Sequence, residues 1–254
     1  MRIAVAGGTG WIGRFVVDAV RTAGHEPVIL ARSTGVDLIR GLGLDEALTG
    51  AAVIIDVSNT STSSRKRSET FFGTATGNLL AAGRRAGVRH HVALSVVGID
   101  RVNLGYYAGK RRQEALVLDG AVPATVLRST QFYEFAAQLV AYPGPIAVVP
   151  ALLTQPIAAH EVARCLVDLA MADPAGLVPD IAGPHQLRMP DLARRLLRAR
   201  RRHRVVLPVR VPGALGRTVA AGGLLPTGHG PRGTQTFDQW LASPAARRTT
   251  RWAR

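Results

Sequence analysis

A glycine-rich turn near the N-terminus constrains the fold of this chain more than any other feature. An apolar run, Ile3–Ala6, leads into the segment GGTGWIG, and an amphipathic stretch continues as far as Ala23. Glycines in such a strand–turn–helix unit let the chain reverse tightly and let backbone N–H groups approach a phosphate. The helix N-terminus adds N–H donors and a partial positive charge. We therefore predict a dinucleotide phosphate site formed by Gly7, Thr9, Gly10, Trp11, Ile12 and Gly13.

The pattern after this turn predicts the fold class. Short apolar runs alternate with longer helical segments as far as Leu127, which indicates an α/β fold with a Rossmann-type doubly wound parallel sheet. Beyond Pro143, prolines and glycines become frequent. We predict an NADP-binding Rossmann domain over residues 1–143 and a smaller C-terminal region over residues 144–254. We expect that region to pack at the carboxyl edge of the sheet, on the substrate side, within a single compact unit.

The end of the predicted second strand indicates which cofactor is preferred. A site for NAD usually places Asp or Glu there, but this chain has Arg32 and Ser33. A guanidinium pairs well with a phosphate dianion, and a hydroxyl adds a donor, so the pair favours the 2′-phosphate of NADP(H). Arg32 could also be one surface arginine among many, which leaves NAD(H) as the alternative.

The charge of the chain suggests a different class of partner. The formal net charge is +15, but lysine occurs only at Lys66 and Lys110 among 32 basic residues. Such an arginine bias is typical of a GC-rich genome. The densest run, Arg194–Arg204, is interpreted as the solvated face of an amphipathic helix, with nucleic-acid binding as the less favoured alternative.

Several other classes of site and location are disfavoured by composition. The single cysteine, Cys165, allows no internal disulfide, and the chain shows neither a leader pattern nor an apolar stretch long enough for a membrane span. We expect a cytoplasmic protein without a membrane partner. His90 and His91 have no second ligand cluster, so we predict no metal. No self-complementary apolar stripe indicates an oligomeric state.

Segments across the chain resemble a known family. The GGTGWIG loop, Ala31-Arg32-Ser33, Gly35–Leu38, Leu94–Gly98 and Gly105–Lys110 are similar to atypical short-chain dehydrogenases/reductases of the NmrA-like group. The resemblance extends roughly from Met1 to Leu241 and is most specific in the first 130 residues. It implies that Asp37 and Leu38 lie against the adenine and that Lys110 holds the nicotinamide ribose. It also implies cofactor contacts, on the ribose and nicotinamide side, from Val57, Ser58, Asn59, Thr130 and Gln131.

The same resemblance implies three catalytic residues, Ser95, Tyr106 and Lys110. Tyr106 and Lys110 are four residues apart and so share a helix face. A nearby ammonium is expected to lower the pKa of the phenol, and a serine hydroxyl can polarise a carbonyl oxygen. Tyr107 is an alternative to Tyr106, and the glycines at 105 and 109 weaken the predicted helix.

Together these features predict an NADP(H)-dependent oxidoreductase that transfers a hydride to a carbonyl or quinone. The alternative is a non-catalytic NADP(H)-binding redox sensor of the NmrA-like type. A small-molecule substrate is expected, but the sequence does not identify it.

Overall fold

The structure, a computed structural model, describes residues 1–141 and 143–248, and it divides into two compact units. The first unit combines Met1–Arg128 with His160–Pro179, and the second combines Ser129–Ala159 with Asp180–Arg254. The chain therefore passes from one unit to the other three times. The predicted division at residues 143 and 144 stays a prediction, and its last residues, 249–254, lie outside the described residues.

A six-stranded sheet with the strand order β2-β1-β3-β4-β5-β8 forms the centre of the first unit. Its strands are β1 (Arg2–Ala6), β2 (Glu26–Leu30), β3 (Ala51–Asp56), β4 (His90–Val96), β5 (Ala124–Ser129) and β8 (Gly176–Leu177). The intervening helices are α1 (Trp11–Thr22), a 3-10 turn (Arg32–Thr34), α2 (Leu44–Leu48), α3 (Arg65–Arg85), α4 (Gly105–Leu118) and α6 (Ala159–Met171). Strand β1 runs parallel to β2 and β3, and β3 runs parallel to β4. The predicted Rossmann-type α/β fold is confirmed.

The strand order places a reversal of winding at β1. The chain moves from β1 to β2 on one side and then crosses to β3 on the other side, so the strand order reverses between β1 and β3. In open α/β sheets, ligands bind in the crevice at the carboxyl ends of the strands at such a switch point. Alternating apolar side chains bury one face of these strands in a core that includes Ala4, Leu30, Ile54 and Leu79.

The second unit contains shorter elements around its own apolar core. Two small sheets pair β6 (Ile146–Pro150) with β10 (Val205–Val209) and β7 (Leu153–Thr154) with β9 (Leu187–Arg188). The helices are α5 (Tyr133–Leu139), α7 (Met189–Ala199), α8 (Gly213–Ala220), α9 (Phe237–Ala242) and α10 (Pro244–Arg248). Tyr133, Phe237 and Trp240 form an aromatic cluster with ring centroids between 5.3 and 5.7 Å apart.

The arginine-rich run falls on α7 and on the chain that follows it. Leu192, Leu196 and Leu197 are buried on one side of α7. Arg195 and Arg198 are not among the buried residues of this helix, as expected for an amphipathic segment. No helix in the described part of the chain is both long and apolar enough to cross a membrane.

Candidate functional site

The glycine loop joins β1 to α1 in a conformation that only glycines allow. Gly7 has φ of +78°, and a Cβ added there would lie 2.9 Å from Cα of Ser58. A Cβ on Gly13 would overlap the carbonyl oxygen of Gly7, because α1 begins directly against the loop. The N–H of Gly10 donates to the carbonyl oxygen of Gly7 at 2.8 Å. The loop therefore brings the start of α1 close to the end of β3.

The loop forms one wall of a cleft of about 830 Å³, which we call the glycine-loop cleft. Its other walls come from the end of β2, from residues 36–40, from residues 57–61 and from Phe71 of α3. Most predicted cofactor residues line it: Gly7, Thr9, Gly10, Trp11, Ile12, Arg32, Asp37, Leu38, Val57, Ser58 and Asn59. Five predicted cofactor residues, Gly13, Ser33, Lys110, Thr130 and Gln131, are not among its lining residues.

A tight turn fixes one end of the cleft. Oδ1 of Asp37 accepts hydrogen bonds from the backbone N–H groups of Ile39 at 2.9 Å and Arg40 at 3.1 Å. These bonds, the one from Arg40 foremost, lower the pKa of the Asp37 carboxyl, and the charges of Arg40 and Arg32 act in the same direction. Asn78 of α3 donates to the carbonyl oxygens of residues 38 and 39. Arg40 belongs to this turn, and Arg32 lies close enough for its charge to act on the same Asp37 carboxyl.

Tyr106 reaches the cleft through Asn59. The Tyr106 hydroxyl donates to Oδ1 of Asn59 at 2.8 Å, and Asn59 lines the cleft. The neighbouring Tyr107 is buried in α4. Burial raises the pKa of Tyr106, and Tyr107 adds to the shift. The pKa therefore moves in the opposite direction to the lowering expected from Lys110, because desolvation of the phenolate is the largest cause of the shift.

The glycines of α4 are required by its packing against α3. A Cβ on Gly105 would overlap the carbonyl oxygen of Ser63, and a Cβ on Gly109 would overlap the Ser68 hydroxyl. That hydroxyl donates to the carbonyl oxygen of Tyr106 at 2.8 Å. The helix forms despite its glycines because close contact with α3 compensates for their low helix propensity.

Lys110 is buried beside the cleft, with a side chain that has several protein partners. The residue is 4% exposed, and its ammonium donates to the carbonyl oxygen of Leu94 at 2.9 Å and to Oε1 of Gln113 at 2.8 Å. It also lies 4.5 Å from the ring centroid of Phe72. Burial lowers the pKa of Lys110 to about 8, although the charges of Asp56 and Glu114 oppose the shift.

Two further predicted residues have different surroundings. Ser95 lies near the carboxyl end of β4, and its buried hydroxyl makes no hydrogen bond within the described residues. Thr130 belongs to the second unit, where its hydroxyl donates to the carbonyl oxygen of Gln155 at 2.7 Å. Among residues 1–141 and 143–248 there is no group of three His, Cys, Asp or Glu side chains that could hold a metal ion.

Comparison with known sequences gives one partial match. No protein-family model matches the chain. The (4-alkanoyl-5-oxo-2,5-dihydrofuran-3-yl)methyl phosphate reductase of Streptomyces griseus is 29% identical over 144 residues, which cover 51% of this chain and 48% of the relative. The chain therefore matches about half the length of this curated relative.

Comparison with solved structures identifies the fold. A UDP-N-acetylglucosamine 4-epimerase from Bacillus cereus has a TM-score of 0.72 at 17% identity, covering 99% of this chain and 96% of its own. A short-chain dehydrogenase/reductase superfamily protein from Agrobacterium tumefaciens, with bound NAD, has a TM-score of 0.71 at 19% identity, covering 100% and 98%. The Citrobacter sp. triphenylmethane reductase complexed with NADP(H) has a TM-score of 0.68 at 16% identity, covering 100% of both chains. The chain shares the fold of these three structures.

The sequence does not indicate every residue of the glycine-loop cleft. The lining residues that it did not predict are Leu30, Ala31, Val36, Ile39, Arg40, Thr60, Ser61 and Phe71. Arg40 could have been found from its charge, because it follows a turn-forming Asp37 by three residues. Phe71 carries no such signal, since an aromatic residue on a helix is equally typical of a core. The NmrA-like subgroup stays a prediction.

Proposed function

We propose that the protein is an NADP(H)-dependent oxidoreductase that reduces a carbonyl or quinone group of a small molecule. One observation carries the proposal: a single cleft is lined by the glycine loop, by Arg32 and Arg40, and by Asn59, which accepts a hydrogen bond from Tyr106. Phosphate-binding backbone, cationic side chains and a proton donor are the three kinds of group that such a reductase needs.

The residues of the cleft fit a dinucleotide. Ser58 lines the cleft, and its buried hydroxyl has no hydrogen-bond partner in the described residues, so it is suited to a ligand atom. A Cβ at Gly10 would lie 2.9 Å from the carbonyl oxygen of Gly7, so side chains are excluded where phosphates would approach. Arg32 and Arg40 would hold a 2′-phosphate, and a bound nicotinamide would supply the hydride.

Tyr106 is proposed as the proton donor. The phenol is protonated at neutral pH, as a group that gives a proton to a substrate oxygen must be, although burial raises its pKa and makes it a weaker acid than an exposed tyrosine. The Ser95 hydroxyl, which has no partner among the described residues, would orient that oxygen as a neutral donor. Lys110 would hold the ribose next to the nicotinamide.

The reaction class is supported by the proteins that this chain resembles. Two of them are named as reductases, one of a furanone methyl phosphate and one of triphenylmethane. Both names describe small-molecule substrates, and the solved structures include complexes with NAD and with NADP(H). We infer a small-molecule substrate of the same general kind for this chain.

The test is consumption of NADPH by the purified protein with a panel of quinones, aldehydes and ketones, and with NADH as the parallel cofactor. NADPH-selective turnover on a member of the panel supports the proposal. Absence of binding to both cofactors, measured by fluorescence titration, would overturn it together with the interpretation of the glycine loop.

A non-catalytic NADP(H) sensor is the second candidate. Its support is the burial of Lys110, whose ammonium already bonds to Leu94 and Gln113. A cation held by the protein in this way suits a binding site as well as a catalytic one. Tight NADPH binding without turnover on any acceptor would favour the sensor over the reductase.

A further inference from the structure

Three buried polar side chains from two elements form a continuous hydrogen-bonded chain. Asp56, the last residue of β3, is fully buried, and Gln113 of α4 is 1% exposed. Nε2 of Gln113 donates to Oδ2 of Asp56 at 2.8 Å, and Oε1 of Gln113 accepts from Lys110 at 2.8 Å. The backbone N–H of Ser58 donates to the other Asp56 oxygen at 2.9 Å. This series of hydrogen bonds therefore connects the wall of the glycine-loop cleft with the Lys110 ammonium.

The two ends of this chain determine the orientation of the Gln113 amide. An ammonium can only donate hydrogen bonds, and an ionised carboxylate can only accept them. Oε1 must therefore face Lys110 while Nε2 faces Asp56. A hydrophobic residue at position 113 would leave both charged groups with one partner fewer in a buried environment, which is costly.

The surroundings of the ammonium contain charges of both signs. Asp56 on β3 and Glu114 on α4 favour its charged form, and Glu114 is itself paired with Arg128 of β5 at 2.6 Å. His91 of β4 lies 3.9 Å from Oδ2 of Asp56, and burial lowers its pKa. A neutral imidazole forms no ion pair with Asp56, so Oδ2 of Asp56 interacts mainly with the amide of Gln113.

We propose that Gln113, anchored by Asp56, is a positioning residue that holds the Lys110 ammonium in place and leaves one of its three N–H groups for the cofactor ribose. The bonds to Leu94 and Gln113 account for the other two. This inference rests on the proposed function, because the acceptor proposed for the third N–H of the Lys110 ammonium is the ribose of NADP(H). The effect of Gln113 on the Lys110 ammonium can be measured without any cofactor.

The decisive measurement is the pKa of Lys110 by NMR, which is practical because lysine is rare in this chain. The chain has only Lys66 and Lys110, so selective ¹³Cε-lysine labelling gives two side-chain NMR signals, with exposed Lys66 as an internal reference. Gln113→Leu removes an acceptor from the ammonium and should lower the pKa of Lys110 by roughly one unit. Gln113→Glu keeps an oxygen acceptor for the ammonium, and its carboxyl can share one proton with that of Asp56, so this variant should not lower the pKa of Lys110. The matched control, Gln138→Leu on the exposed part of α5, should leave it unchanged.

A lower pKa of Lys110 in Gln113→Leu but not in Gln113→Glu supports the proposal, whereas an unchanged pKa in Gln113→Leu or a lowering in both variants overturns it. Both variants remain informative if one fails to fold, because each has its own expected result. NADPH titration supplies the second readout: Gln113→Leu should bind roughly tenfold more weakly than the wild type. Unchanged NADPH affinity would overturn the positioning role while leaving the proposed function intact. Failure of the wild type to bind NADPH would instead overturn the proposed function and the ribose contact. The lysine titration would still show whether Gln113 holds the Lys110 ammonium.

Discussion

The hydroxyl of Tyr106 donates a 2.8 Å hydrogen bond to Oδ1 of Asn59, a residue 47 positions earlier in the chain. Asn59 follows β3 and lines the glycine-loop cleft, whereas Tyr106 lies in the first turn of α4. This bond connects a cofactor-side wall with the proposed proton donor. It also distinguishes Tyr106 from Tyr107, which is buried within α4.

Removing the Tyr106 hydroxyl tests the proposed proton donor. We expect Tyr106→Phe to lower kcat by about 10²- to 10⁴-fold, because general acid catalysis typically contributes that much. NADPH affinity should change little, since the ring is retained. Tyr107→Phe is the matched control and should keep near-normal kcat. Equal activity of Tyr106→Phe and the wild type would show that another group donates the proton.

The arginines at the end of the cleft should determine the choice of cofactor. Arg32→Ser is expected to weaken NADPH binding by about tenfold or more, because a charge-assisted bond to the 2′-phosphate is lost. NADH binding should stay nearly constant, and Arg40→Gln should act in the same direction. Arg21→Gln, at the far end of α1, is the control. Parallel losses of NADPH and NADH affinity would contradict a 2′-phosphate role.

Two glycine substitutions should have opposite effects on stability. Gly13→Ala places a Cβ against the carbonyl oxygen of Gly7, so we expect a loss of about 1–3 kcal/mol in the free energy of unfolding and weaker NADPH binding. Gly77→Ala, within α3, meets no atom within 4 Å and should stabilise the protein by about 0.5–1 kcal/mol. Urea unfolding of both variants measures the contrast. A neutral Gly13→Ala would show that α1 can move away from the loop.

Glu134 of the second unit should make stability depend on pH. Burial raises the pKa of its carboxyl to about 7, although Trp240 donates to Oε1 at 3.1 Å. The unfolded chain ionises this group from about pH 4.5, so stability is lost as the pH rises from about 4.5 to 7 and stays reduced above that range. Glu134→Gln retains an acceptor for Trp240 and should gain up to roughly 3 kcal/mol at pH 8.

The gain from Glu134→Gln should shrink as the pH falls towards 4.5 and vanish below it, because the carboxyl is then protonated in both the folded and the unfolded wild type. Urea unfolding at pH 5 and pH 8 measures the difference. Glu46→Gln, on the exposed side of α2, is the control and should show no such dependence. A gain that is equal at both pH values would mean that the charge of Glu134 is not its cause.

The sequence alone determined the fold class and the position of the glycine loop. Apolar periodicity and turn residues are local signals, and they specify β1, α1 and the later strands of the first unit without reference to distant residues. The strands of the second unit carry weaker local signals, because β7 and β9 contain only two residues each and both β6 and β10 contain a proline. Short elements of this kind depend on packing with their neighbours for their stability.

Only the tertiary structure decided which polar groups meet. Gln113 and Asp56 are 57 residues apart, and no periodicity indicates that they share a hydrogen bond. The pKa of Tyr106 is raised, although spacing alone suggested a lowering by Lys110, because burial depends on the packing of α4 against α3. Local sequence therefore determines elements and loops. Contacts and electrostatics follow from the arrangement of those elements in space, where desolvation and partners are set by residues remote in the chain.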